Sequence, residues 1–124
     1  MQKKALFILI LTGVLLISCG GQIDSGVTPT ANKLTFLFFY TDGWIPWMNM
    51  QPVVNGLHET FGEQIEFREL DANAPDGGQA FRAYALPGHP GYVLLNPEGE
   101  VLWRGFGEQS RESIEEQLNA ALAQ

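Results

Sequence analysis

The sequence predicts one α/β domain with elements in the order β-α-β-α-β-β-α. Three observations carry this expectation. Apolar runs of strand length alternate with stretches whose apolar residues recur at helical spacing. A proline-glycine turn joins the last two strand candidates. The 124 residues, with the first 18 set aside for reasons given below, suffice for one compact core and not for two. Apolar residues make up 45% of the chain, enough to build that core without metal or disulfide support.

Leu34 to Tyr40 (LTFLFFY) is too short for a helix and dense in phenylalanine, which predicts a strand buried on both faces. After Asp42 and Gly43, the residues Met50, Val53, Val54, Leu57 and Phe61 fall at helical spacing and predict a helix from about Pro46 to Phe61. Pro46 suits a helix start. Pro52 is interior, where proline ordinarily costs about 3 kcal/mol, so a kink there needs a reason. Ile65 to Asp71 reads as a second strand, Ala72 to Gly78 (ANAPDGG) as a loop, and Gln79 to Ala85 as a short helix. The segment Leu86 to Gly91, with two prolines and two glycines, is irregular and leads into a third strand, Tyr92 to Leu95. Asn96-Pro97-Glu98-Gly99 turns the chain back into Val101 to Phe106, so these two strands form an antiparallel hairpin. Ser110 is placed to cap a last helix with Ile114, Leu118 and Leu122 on one face.

The first residues read as an address. Lys3 and Lys4 precede an apolar run, Ala5 to Ile17, that falls short of the roughly 20 residues needed to cross a bilayer and fits the core of a secretory signal. The tetrad Leu16-Ile17-Ser18-Cys19 resembles the bacterial lipobox. That resemblance implies a signal peptide over 1–18, diacylglycerol on the Cys19 sulfur and acylation of the new amino terminus. The bland alternative is an uncleaved anchor, or an ordinary secretory signal with a stray thiol. Two or more acyl chains give stable anchoring, at about 0.8 kcal/mol per buried methylene. The expected location is therefore the extracytoplasmic face of a cell membrane or outer membrane, with the bilayer as a partner through Cys19. Gly20 to Lys33 lacks apolar periodicity and reads as a tether with a reach of about 20 Å, so the lipidated linker spans 19–33 and the domain 34–124.

Composition excludes several classes. Seven Lys and Arg face 14 Asp and Glu, and Lys3 and Lys4 lie in the removable segment, so no nucleic-acid partner is expected. Cys19 is the single cysteine, which rules out an internal disulfide. Gly105-Phe106-Gly107 lacks a nucleotide-binding context, and no serine sits in a nucleophile elbow. His58 and His89 are the only histidines, and Met48 and Met50 point to different sides of a helix, where such methionines read as core filler; no metal or other cofactor is expected.

From Leu34 to Leu122 the chain resembles the thioredoxin superfamily. Gly43-Trp44-Ile45-Pro46-Trp47 stands where that family carries its Trp-Cys-Gly-Pro-Cys segment. Pro52 falls five residues beyond Trp47, at the place of the family's helix-kinking proline. Tyr84 to Pro90 is similar to the approach to the family's cis-proline, which makes Pro90 the candidate, and Gly107 matches the glycine that borders the substrate groove. The resemblance implies a central mixed sheet flanked by helices. Tryptophan occupies both redox positions, and Phe38 lies where many thioredoxins bury a carboxylate. Disulfide exchange needs a thiolate, so catalytic residues are expected to be absent.

What such a fold keeps without its sulfurs is a groove beside the cis-proline, where an extended peptide can pair with the backbone. Trp44, Ile45, Pro46, Trp47, His89 and Pro90 are the expected rim, with an extracytoplasmic protein or peptide as the partner. The competing reading folds one or both tryptophans inward as plugs of the vacated site. Two further functions are open at this point: a component of a thiol-disulfide pathway, and a purely structural envelope subunit.

Overall fold

The computed structural model describes residues 23–124, so the signal segment and Cys19 lie outside the described residues. Seven elements follow in the expected order: β1 (Leu34–Tyr40), α1 (Ile45–Phe61), β2 (Ile65–Asp71), α2 (Pro75–Ala83), β3 (Gly91–Leu95), β4 (Val101–Phe106) and α3 (Arg111–Leu122). They build an α/β fold around a mixed sheet of order β2-β1-β3-β4. β1 runs parallel to β2, with Leu34 opposite Ile65 and Tyr40 opposite Asp71. The pairs β1–β3 and β3–β4 are antiparallel.

The phenylalanine-rich β1 is central, and its alternation divides the core. Phe36 and Phe38 join Tyr92, Leu94, Met50, Val54, Leu57, Ile114 and Leu118 on the side of α1 and α3. Leu37 and Phe39 join Val93, Leu95, Ala80, Tyr84 and Leu86 on the side of α2. Full burial of side chains of this size contributes about 1.5–3 kcal/mol each. Ser110 caps α3 as expected, its hydroxyl accepting from the Ser113 N–H at 3.1 Å. Arg111 ties α3 to the end of α1 by donating to the Thr60 hydroxyl at 2.9 Å. At the hairpin, the Asn96 side-chain oxygen accepts from the Glu98 and Glu100 N–H groups (3.1 and 2.8 Å), and Gly99 takes φ +85°.

Two expectations are corrected. Pro75 to Gly78 is the first turn of α2, not a loop. The glycines that signal a turn are there for packing: a Cβ on Gly77 would collide with the Asp71 carbonyl. The second concerns the tether, which packs on the domain over much of its described part. Ser25 is buried and shares a 2.9 Å hydrogen bond with the Tyr84 hydroxyl. Val27 packs against the α2-side core. The Arg68 guanidinium donates to the Thr28 carbonyl at 2.6 Å and to the Thr30 hydroxyl at 2.7 Å. Residues from Ser25 onward therefore belong to the folded unit, because one apolar side chain and a few satisfied polar groups suffice to dock a segment whose composition resembles a linker. No described helix is long and apolar enough to cross a membrane.

Candidate functional site

The expected site residues gather at one end of the sheet. β1 ends at Tyr40, and Phe39 faces Gly91 across the antiparallel ladder, which sets Pro90 beside the end of β1. The His89–Pro90 peptide is cis, as expected, and Pro90 is buried. The Gly107 N–H donates to the Pro90 carbonyl at 2.8 Å, while the Gly107 carbonyl accepts from the Tyr92 hydroxyl at 2.8 Å. Gly107 holds φ +74°, a left-handed conformation that glycine adopts without strain. Next along the chain, Glu108 accepts from the Asn49 side chain at 2.9 Å, and the Gln109 N–H meets the Met50 sulfur at 3.4 Å. The first turns of α1 and the cis-proline loop are thus joined through one short bridge.

The tryptophans divide between the two readings. Trp44, at the N-cap of α1, is 54% exposed, and Ile45 after it is 68% exposed. Trp47 is half-buried, stacked on Tyr40 with ring centroids 5.2 Å apart, and packed against the α1-side core. Its indole N–H is buried and finds no acceptor among the described residues. Pro46 is half-buried in the first turn. His89 lies with its imidazole stacked on Phe81 of α2 at 4.5 Å, its Nδ1 buried and unpartnered, so its ring leans toward α2. Pro52 lies inside α1, which continues through it. Phe38, fully buried, stacks face to face on Tyr92 at 5.5 Å.

Two residues that sequence reasoning missed add to the exposed apolar surface. Met48 is 51% exposed, whereas Met50 is core, so only one of the two methionines is filler. The signal was available, since Met48 stands four residues after Trp44 and shares its face. Phe106 is 55% exposed at the end of β4, with its ring near Gly88 of the cis-proline loop. Phe106 reads as the last core residue of a strand, and only the position of β4 at the sheet edge leaves it in solvent. Burial pushes the Tyr92 phenol well above its ordinary range, with the Glu108 carboxylate adding to the shift. The described residues contain no cysteine, and none of their His, Asp and Glu side chains gather in threes to hold a metal ion.

The fold has counterparts among solved structures. The fold is thioredoxin-like. The chain is similar to the germline-specific thioredoxin Deadhead (Thioredoxin-1) of Drosophila melanogaster, at 18% identity and TM-score 0.64, over 72% of this chain and 81% of that one. It is similar also to a putative thiol:disulfide interchange protein DsbE of Chlorobium tepidum, at 21% identity and TM-score 0.64, over 74% and 82%. A malarial protein aligns at 16% identity and TM-score 0.63, over 72% of this chain and 97% of that one. No protein-family model and no curated protein sequence matches the chain. The thioredoxin-like architecture is thus present with tryptophans at the mouth of α1, where exposed and half-buried indoles flank the turn of Ile45 and Pro46.

Proposed function

We propose that this protein is a membrane-tethered, extracytoplasmic lipoprotein whose thioredoxin-like domain performs no thiol chemistry of its own and binds an extended peptide or protein segment beside Pro90. The observation that carries the binding reading is Trp44: a large, rigid aromatic, 54% exposed, at the helix start that faces the cis-proline end of the sheet. Side chains of this kind are enriched among binding hot spots. Ile45 and Met48 on the same helix start and Phe106 beside the cis-proline loop are exposed apolar side chains at this end of the sheet. Trp47 serves from below, its ring braced on Tyr40 and packed against the core so that it supports the helix start that carries Trp44. The absence of thiol chemistry follows from the sequence, because the one sulfhydryl, Cys19, is assigned to lipid and indole cannot attack a disulfide. Pro90 has no N–H and its carbonyl is held by Gly107, so the backbone of His89, unpaired among the described residues, is the group offered for strand pairing, while the His89 ring supports the loop from the α2 side.

The test uses extended peptides selected on the purified full chain from a displayed library. Trp44→Ala is expected to weaken their binding about thirtyfold, as befits an anchor worth about 2 kcal/mol. The double change Trp44→Ala with Trp47→Ala is expected to abolish it. Selected peptides that bind the double variant as tightly as the parent would sink the groove reading.

A further inference from the structure

We propose that two copies of this chain associate through the outer edge of β2, forming one continuous antiparallel sheet across a twofold axis centred on Phe67. The proposal stands apart from what the Trp44 groove binds, since β2 lies on the opposite side of β1 from the cis-proline strand.

β2 is an edge strand paired on one side only, by an unbroken parallel ladder from Ile65 to Asp71. In such a ladder alternate residues turn both their N–H and C=O toward the neighbour. The Ala72 N–H donates to the Tyr40 carbonyl, which sets the phase: the even-numbered residues of β2 face β1, and Ile65, Phe67 and Glu69 face outward. No described backbone group pairs with that outer side. The strand carries no bulge and no proline; of the devices that usually protect an edge it has only charged side chains, Glu66, Arg68, Glu69 and Asp71. β4, the opposite edge, is interrupted by a register shift against Leu94 and Leu95 and by Gly105, and is the poorer template.

Charge then selects the partner and the register. In an antiparallel self-pairing centred on Glu66, that carboxylate would face its own copy; centred on Arg68, two guanidinium groups would meet. Centred on Phe67, each Glu66 lies opposite the partner's Arg68, and both pairs fall at the closely spaced non-hydrogen-bonded positions, where Cβ atoms approach to about 4.5–5.5 Å. Phe67 and the partner's Phe67 then exchange backbone hydrogen bonds. Arg68 spends two donors on Thr28 and Thr30 and retains others for a carboxylate. The α1 side of the edge is only partly filled. A hollow of about 210 Å³ opens between α1 and β2, lined by the rings of Phe36, Phe38, Phe67 and His58 together with the polar Asn55, Arg68 and Glu69. His58 is stacked on Phe67 at 5.2 Å, so the partner's Phe67 arrives beside an aromatic surface already in place.

The experiment is sedimentation of the full chain in detergent over a concentration series reaching the submillimolar range. Wild type is expected to dimerise reversibly. Glu66→Arg leaves the Arg68 bonds to Thr28 and Thr30 intact and turns two attractions into repulsions, so dimerisation is expected to weaken about tenfold or more. Glu66→Arg combined with Arg68→Glu restores the opposite charges and is expected to recover the dimer. Because the double change also removes the Arg68 clamp, a second variant guards the result. Phe67→Cys in a Cys19→Ser background is expected to cross-link when glutathione disulfide is added as the oxidant, which takes up the two electrons as two molecules of reduced glutathione, since facing residues on such a ladder have Cα atoms about 5.5 Å apart, within disulfide range. Monomeric wild type throughout, a Glu66→Arg chain that dimerises as well as the parent, or Phe67→Cys that stays uncross-linked overturns the proposal.

Discussion

Tyr92 shows how one side chain can support a site it does not enter. Its ring is fully buried and stacks on both Phe38 and Trp103, and its hydroxyl holds the Gly107 carbonyl that continues into the bridge to α1. Burial raises its pKa above the ordinary value of about 10, and the Glu108 carboxylate adds to this. The neutral phenol is therefore favoured in the folded state. Its contribution to stability is complete below about pH 10 and is lost above it, as the unfolded chain ionises first. Urea midpoints measured at pH 8, 10 and 11 are expected to fall across that window, and Tyr92→Phe is expected to flatten the fall while lowering the midpoint at pH 8. Trp44 and Trp47 were both legible as candidate site residues. Their division between solvent and core was not, because two indoles three residues apart on one helix turn are alike in sequence and differ only in whether Tyr40 lies beneath them.

At the scale of elements, apolar runs, helical spacing and turn residues located the strands and helices, with α2 begun four residues late, and the errors arose where a residue had a packing reason stronger than its local preference. α2 is the clearest case. Gly77 and Gly78 suggest a turn, yet they lie inside the helix with little room above the backbone of Asp71 and Ala72. Replacing glycine by alanine within a helix ordinarily stabilises by about 0.5–1 kcal/mol. Here Gly77→Ala is expected to do the reverse and lower the melting temperature by several degrees, since its methyl group meets the Asp71 carbonyl. A calorimetric scan that shows Gly77→Ala unchanged or more stable would refute this account of the helix start. Ser110, by contrast, acts within its own helix, and so its capping role was readable directly.

For the whole molecule, the segment before β1 is the main departure from expectation. Ser25, Val27 and the Arg68 clamp bring it onto the α2 side of the sheet, so the folded unit begins well before Leu34. On the proposed function the purified chain, with Cys19 replaced by serine, is expected to give no acceleration of insulin reduction by dithiothreitol. Turnover above the uncatalysed rate would contradict the assignment of the site to binding alone. The sequence by itself determined the element order, the central buried strand and the lack of a thiol at the start of α1, because each depends on residue type and on spacing along the chain; the cis-proline was placed by the resemblance to the thioredoxin superfamily. Tertiary structure decided which tryptophan meets solvent, where the linker ends, why glycines sit inside α2 and which strand has a free edge. Those outcomes depend on which surfaces meet across distances in sequence, and local composition carries no record of the neighbour that arrives.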